Sequence, residues 1–254
     1  MEYAVEIKGL VKDFGTKRAV DHISLSIEKG ELFALLGVNG AGKTTTIRML
    51  TGLSRPTGGD AYVMGSSITG ALSEVKKNSN LSPQETAIAP NLTVRENLQL
   101  MARIYGASKA DASIRSDALI NQCGMTEIVG KKAKLLSGGW QRRLSIAMAL
   151  ITEPKILYLD EPTLGLDVLA RRELWNVIKS LKGSVTIVLT THYMEEVEAL
   201  SDHVAVMMTG AVKAYGTVEE LKAETGKDTL EEAFIAIADR ERGIQTIGYE
   251  EGME

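Results

Sequence analysis

Gly37-Val38-Asn39-Gly40-Ala41-Gly42-Lys43-Thr44 fits the spacing G-x-x-x-x-G-K-[ST]. That spacing suits one task, which is to aim consecutive backbone N–H groups and a helix N-terminus at a polyphosphate. Glycines are needed because the backbone must approach the phosphate closely, partly with positive φ. Lys43 would reach the β- and γ-phosphates, and the Thr44 hydroxyl would hold Mg²⁺. The segment predicts binding of a nucleoside triphosphate.

Two further segments could complete such a site. Ile156-Leu157-Tyr158-Leu159-Asp160-Glu161 is an apolar run ending in two acids. At the C-terminal edge of a parallel sheet, Asp160 would hold Mg²⁺ directly or through water. Glu161 would then lie beside the γ-phosphate and orient the attacking water. Taken alone, an acid pair after a strand is equally a solvated loop start, and the phosphate loop upstream tips the balance. Leu136-Ser137-Gly138-Gly139-Trp140-Gln141 puts a serine and two glycines at the start of a helix. It is either a second anion site or a loop closed by a helix-capping serine.

These residues need a scaffold, and the chain has the pattern for one. Leu32–Leu36 reads as a buried strand before the loop, and Thr45 to Leu53 as a helix after it. Val5 and Ile7, then Ile23, Leu25 and Ile27, alternate as N-terminal strands. Gly58-Gly59-Asp60 marks a turn into a short strand at 61–64. From about 86 to 136 the pattern becomes helical. Thr93 and Glu96 form a capping box, Val94, Leu98, Met101 and Ile104 share a helix face, and Ser108 opens a second helix. A helix at about 140–152 leads to the strand at 156–159. Another helix, with Val168, Leu174, Trp175, Ile178 and Leu181 on its face, leads to a strand at 185–189. Continuous apolar strands indicate burial on both faces, as in a parallel sheet. Thr217-Val218-Glu219-Glu220 and Thr229-Leu230-Glu231-Glu232 open two last helices, the second presenting Leu230, Ala233, Phe234 and Ile237. The expected fold is α/β: a phosphate-loop NTPase core, an antiparallel N-terminal β subdomain and an inserted helical subdomain. One domain is expected over 1–238, with a polar, frayed tail over 239–254.

Bulk properties narrow the function. The 254 residues carry a formal net charge of −4, which argues against a general nucleic-acid surface. Cys123 is the single cysteine, so no intrachain disulfide forms, and a reducing cytosol fits. No basic-then-apolar leader opens the chain, and no apolar run approaches the roughly 20 residues needed to span a bilayer. Any link to a membrane would run through another polypeptide.

With these segments in order, the chain resembles the ATPase subunits of ABC transporters over nearly its whole length. Residues 37–44 resemble the Walker A loop, 156–161 Walker B with its catalytic glutamate, and Leu136-Ser137-Gly138-Gly139-Trp140 the LSGGQ signature. The resemblance implies roles for four more residues. Gln84 would be the glutamine that contacts Mg²⁺ and water, Asp167 part of the D-loop, and His192 the histidine at the γ-phosphate. Phe14 would be the aromatic that stacks on adenine. Individually, Asp167 could equally cap a helix, Phe14 could be a core aromatic, and His192 could be satisfied by nearby backbone. Two positions depart from the family pattern: Trp140 replaces the signature glutamine, with Gln141 next, and Phe14 stands where tyrosine is commoner.

The resemblance further implies ATP and Mg²⁺ as ligands. It also implies two ATPase subunits, identical or not, meeting head to tail, and a cytoplasmic location on the inner face of the cell membrane through a separate transmembrane permease. The C-terminal helices point to an exporter, with an importer subunit as the alternative. A soluble ABC ATPase acting on DNA or ribosomes fits poorly with one ATPase copy, no heptad run and an acidic balance. A phosphate-loop GTPase or kinase leaves Ser137-Gly138-Gly139 unexplained.

Overall fold

A computed structural model describes residues 3–242. The chain opens with β1 (Tyr3–Phe14) and β2 (Lys17–Glu28), an antiparallel pair. Then comes β3 (Leu32–Leu36), the glycine loop and α1 (Lys43–Leu50). β4 (Gly58–Val63) and β5 (Ser66–Ser67) add to β1, giving an antiparallel sheet in the order β2-β1-β4-β5. The turn expected at 58–60 is therefore strand. Gly59 has φ +68°, and a Cβ there would fall 2.1 Å from the Gly9 carbonyl oxygen. The missing side chain lets β4 pass a register shift in β1 between Lys8 and Val11.

A short helix, α2 (Leu72–Asn78), leads into β6 (Ser79–Ser82), and neither carries a periodic signal. α3 (Val94–Ile104) and α4 (Lys109–Gln122) follow, capped by Thr93 and Ser108 as expected. The buried face of α3 differs from the expected one. Val94 and Leu98 are buried, but Ile104 is exposed and the stripe ends on Ala102. Asn97 is also buried, its amide donating to the carbonyls of Ala89, Leu92 and Thr93. That polar anchor fixes the face toward the preceding loop.

α5 (Gly138–Leu150) precedes β7 (Ile156–Asp160), and α6 (Val168–Leu181) precedes β8 (Thr186–Thr191). On α6 Leu174, Ile178 and Leu181 are buried and Trp175 packs against the core, whereas Val168, in the first turn beside the cap, is exposed. α7 (Met194–Leu200), β9 (His203–Met208) and β10 (Ala211–Gly216) close the sheet. α8 (Val218–Thr225) ends on Gly226 with φ +66°, and α9 (Leu230–Arg242) buries Leu230, Ala233, Phe234 and Ile237. α9 runs past residue 239, and the rest of the expected tail, 243–254, lies outside the described residues.

The six-stranded sheet runs β10-β9-β3-β8-β7-β6, parallel except for the outer β10. Its central strands alternate between two apolar layers. Leu32, Ala34, Leu36, Leu157 and Leu159 face one, and Phe33, Leu35, Ile156 and Tyr158 the other. Burial on both sides explains why these strands are apolar throughout, each fully buried leucine contributing about 2 kcal/mol. α3, α4 and α5 share a third cluster that includes Val94, Leu98, Ile120, Met125 and Leu144.

Candidate functional site

β3 lies between β8 and β9, so the glycine loop leaves the middle of the sheet at its C-terminal edge. Sterics dictate two of the glycines. A Cβ at Gly37 would fall 2.4 Å from the Met207 carbonyl oxygen. At Gly42, where φ is +104°, it would fall 2.6 Å from that of Ala19. The loop is thus pressed onto β9 and the β2 hairpin, which leaves its other face for a ligand. Lys43, the first residue of α1, is 4% exposed. Its ammonium donates to the Gly37 and Val38 carbonyls at 2.7 and 3.3 Å and pairs with Glu161 Oε1 at 3.2 Å.

β7 delivers Asp160 and Glu161 to the same edge. Asp160 Oδ1 accepts from the Thr44 hydroxyl at 2.9 Å and from Thr190 Oγ1 at 2.6 Å. The Glu161 amide donates to Thr190 Oγ1 at 3.0 Å and to the Thr190 carbonyl at 3.1 Å. This double hold keeps Glu161 at φ +46°, a backbone conformation that costs a non-glycine residue about 1–3 kcal/mol. With the carboxylate turned back over the loop, Oε1 meets Lys43 and Oε2 lies 3.1 Å from His192 Nδ1. Thr190, absent from the sequence-derived site, thus fixes both acids. Its signal is only its place at the end of a buried strand.

A cleft of about 410 Å³ opens above these groups. Phe14, Asn39, Gly40, Ala41, Gly42, Lys43, Thr44, Thr45, Gln84 and Glu161 line it, together with Lys17, Ala19 and Leu164. Phe14 is half exposed at 55%, so it is a wall of this cleft and not a core aromatic. Lys12 lies over its ring, 4.9 Å from the centroid. Gln84 reaches the cleft from the loop after β6. Gly37 and Val38 sit behind it, where their carbonyls take Lys43.

Ser137, Gly138, Gly139 and Asp167 form no part of the cleft wall. Ser137 stands at the N-cap of α5 with its side chain exposed, and its hydroxyl makes no capping bond. The start of α5 packs on α6: a Cβ at Gly139 would meet that of Ala170 at 3.0 Å. Asp167 accepts from the amides of Leu169 and Ala170, so it does cap α6. Gln141 ties the signature to the preceding turn, donating to the carbonyls of Ala133 and Leu136, both at 3.2 Å. Trp140 stacks on the Arg143 guanidinium at 4.2 Å.

The ABC transporter family profile matches residues 20–164, more than half of the chain. The chain belongs to the ABC transporter family. A second profile, the AAA domain of a putative AbiEii toxin, matches residues 132–198 only. The daunorubicin/doxorubicin resistance ATP-binding protein DrrA of Streptomyces peucetius is 41% identical over 89% of this chain and 69% of its own length. The probable multidrug ABC transporter ATP-binding protein YbhF of Escherichia coli is 37% identical over 93% of this chain and 42% of its own length. A solved ATP-binding subunit of an ABC transporter superposes with a TM-score of 0.81 at 28% identity, over 92% of this chain and 99% of that one. This ABC subunit binds and hydrolyses ATP to drive transport.

The oxygens of Thr44 and Asp160, 2.9 Å apart, are of the kind that suits Mg²⁺, a hard cation, and Gln84 lines the same cleft. Among the described residues no three His, Cys, Asp or Glu side chains converge on a metal position. An ion at Thr44 and Asp160 would therefore share its shell with phosphate oxygens and water, as Mg²⁺ does beside bound nucleotides.

Proposed function

We propose that this subunit closes head to tail with a second ATPase subunit on ATP, and that closure and reopening drive a separate membrane permease. Each nucleotide lies between the glycine loop of one subunit and the Ser137-Gly138-Gly139 segment of the other. The observation that carries this reading is the Ser137 hydroxyl, which is exposed, caps nothing and stands outside the cleft. A helix start with free N–H groups beside a free hydroxyl is an anion site that lacks an anion within its own chain.

Within the site, backbone amides of 37–43 and Lys43 take the phosphates, Thr45 supports the α-phosphate end, and Phe14 stacks on adenine. Thr44, Asp160 and Gln84 would hold Mg²⁺, which when bound would supply charge neutralisation to the phosphates. Glu161 orients the water whose oxygen attacks the γ-phosphorus while ADP leaves in line. His192 steadies Glu161 and meets the γ-phosphate, and Asp167 lies at the subunit contact. Most of the rate enhancement then comes from position and charge.

The permease partner follows from the family, and among the described residues no helix is long and apolar enough to cross a membrane. The subunit would work at the cytoplasmic face of the membrane, bound through that permease. Export is favoured by the drug-resistance and multidrug names of its relatives.

The two-subunit site is tested by size. Glu161→Gln with ATP and Mg²⁺ should elute as a dimer, and adding Gly138→Asp should return it to a monomer that still binds ATP, more weakly by the part of the affinity that dimer closure supplied. Complete loss of ATP binding by that monomer would put the signature in its own subunit's site instead. Lys43→Ala should abolish ATP affinity, and tight binding by that variant would overturn the loop assignment. Inside-out vesicles carrying the subunit and its permease should accumulate daunorubicin on adding ATP. ATP-driven loss of the dye from their lumen would reverse the direction.

A further inference from the structure

Arg142 has no part in the roles assigned above, yet it is one of the most buried cations of the described residues, 5% exposed in the second turn of α5. Its Nη1 donates to the Pro83 carbonyl at 2.6 Å, and its Nη2 donates to the Gln84 carbonyl. The fork therefore grips two successive peptide units of the loop that carries Gln84 into the cleft. Two more polar contacts extend the seam between α5 and β6. Ser145 Oγ and Ser82 Oγ are 3.0 Å apart and buried, and Asn80 Nδ2 donates to the Ala149 carbonyl at 3.1 Å. Positions 142, 145 and 149 recur at helical spacing along one face of α5. Burial pulls the guanidinium below its ordinary pKa, and the carboxylates of Asp160 and Glu196 offset part of that.

We propose that Arg142 is a positioning residue that fixes Gln84 in the cleft and ties it to the signature segment at the start of the same helix. An arginine suits this because its planar guanidinium can hold two carbonyls at once in a fixed geometry. Gln84 is exposed and its loop has no regular structure, so its backbone geometry rests on this grip. A shift of α5, which begins at Gly138-Gly139 behind the Ser137 cap, moves Arg142 with it, because the five helical residues from Gly138 to Arg142 behave as a rigid rod. Engagement of the signature segment is thereby transmitted to Gln84. The proposal rests on the role given above to Gln84 at the metal and the attacking water.

Arg142→Met keeps the length of the side chain and removes both donors, and Arg142→Gln serves the same measurements should the methionine variant fail to fold. Backbone ¹⁵N relaxation on the full chain should report order parameters at Gln84 and Glu85 that fall from about 0.85 to below about 0.6 while α5 beyond Leu144 keeps its values. Unchanged order parameters there overturn the grip. In turnover assays the variant should lose about tenfold in kcat with ATP affinity held within twofold, and should lose nothing further in a Gln84→Ala background. Losses that multiply in the double variant overturn the proposal and leave the role of Gln84 standing. A Gln84→Ala chain with normal turnover removes Gln84 from the site, while the relaxation measurement still decides whether Arg142 grips the loop.

Discussion

Replacing Glu161 by glutamine separates two things that the carboxylate does. It pairs with Lys43 at 3.2 Å, with both side chains under 10% exposed. At an effective dielectric constant of about 20, two unit charges at that distance attract by about 5 kcal/mol. Removing one partner of a buried pair costs about 3–5 kcal/mol when the other ion is left bare. Lys43, however, keeps the Gly37 and Val38 carbonyls and the glutamine oxygen can still accept, so the loss falls to about 1–3 kcal/mol. In a chain of this size each kcal/mol moves the melting temperature by about 2–4 °C. Without nucleotide, Glu161→Gln should therefore melt roughly 2–12 °C below the parent. With ATP and Mg²⁺ the order should reverse, because the γ-phosphate no longer competes with a carboxylate for Lys43. Turnover should fall by about 10²–10⁴, the usual contribution of a positioned general base. Melting curves with and without ATP–Mg²⁺, beside a phosphate-release assay, read all three quantities. Turnover within tenfold of the parent would remove Glu161 from catalysis. Identical melting without nucleotide would mean that the pair with Lys43 does not stabilise the loop.

Phe14→Ala should weaken ATP and GTP alike by about fivefold, since a half-exposed stacking face is worth about 1 kcal/mol and reads no base edge, while Phe14→Tyr should bind as the parent does; titration calorimetry measures both. Gly37→Ala sets a Cβ 2.4 Å from the Met207 carbonyl oxygen and should cost about 1–3 kcal/mol in thermal or urea melts, whereas Gly130→Ala, with nothing within 4 Å, should be neutral. Burial pushes the Cys123 thiol up to about 11, so at pH 8 it should stay unlabelled by a thiol reagent until the chain unfolds. Stoichiometric labelling within minutes in native buffer would contradict the packing around Cys123.

What the sequence made legible is what local chemistry dictates. The glycine loop is readable because close approach to phosphate needs glycines at fixed spacing, and capping boxes at Thr93 and Thr217 are readable because their partners lie three residues away. The apolar runs at 32–36 and 156–159 announce strands buried on both faces. Strand order is not local: nothing in β3 says that it lies between β8 and β9. β6 escapes detection because four residues, SNLS, have no pattern and gain their strand geometry from pairing with β7. Periodicity also misplaced Ile104 and Val168, each at a helix end where the face turns out of the core. Gly58 and Gly59 read as a turn, although Gly59 serves a close crossing with Gly9 that only the folded sheet creates. Thr190 and Arg142 stayed invisible for the same reason, since their partners are remote in sequence.

The signature segment shows how a departure from a family pattern is absorbed. With Trp140 at the fifth position, the role of a glutamine there was open. Gln141, one position on, spends its amide on the carbonyls of Ala133 and Leu136 and so fixes the turn leading into α5. Trp140 spends its ring on Arg143, whose guanidinium is itself held by the Cys123 carbonyl at 3.2 Å and Glu173 at 3.0 Å. In the proposed anion site neither side chain is needed, because the free N–H groups at the start of α5 and the Ser137 hydroxyl would supply it. What the site does need is the close approach of Gly139 to Ala170, one turn into the helix that Asp167 caps. The start of α5 and the start of α6 are therefore one mechanical unit. Substitution at position 140 is tolerable there, whereas bulk at position 139 would push the two helix starts apart.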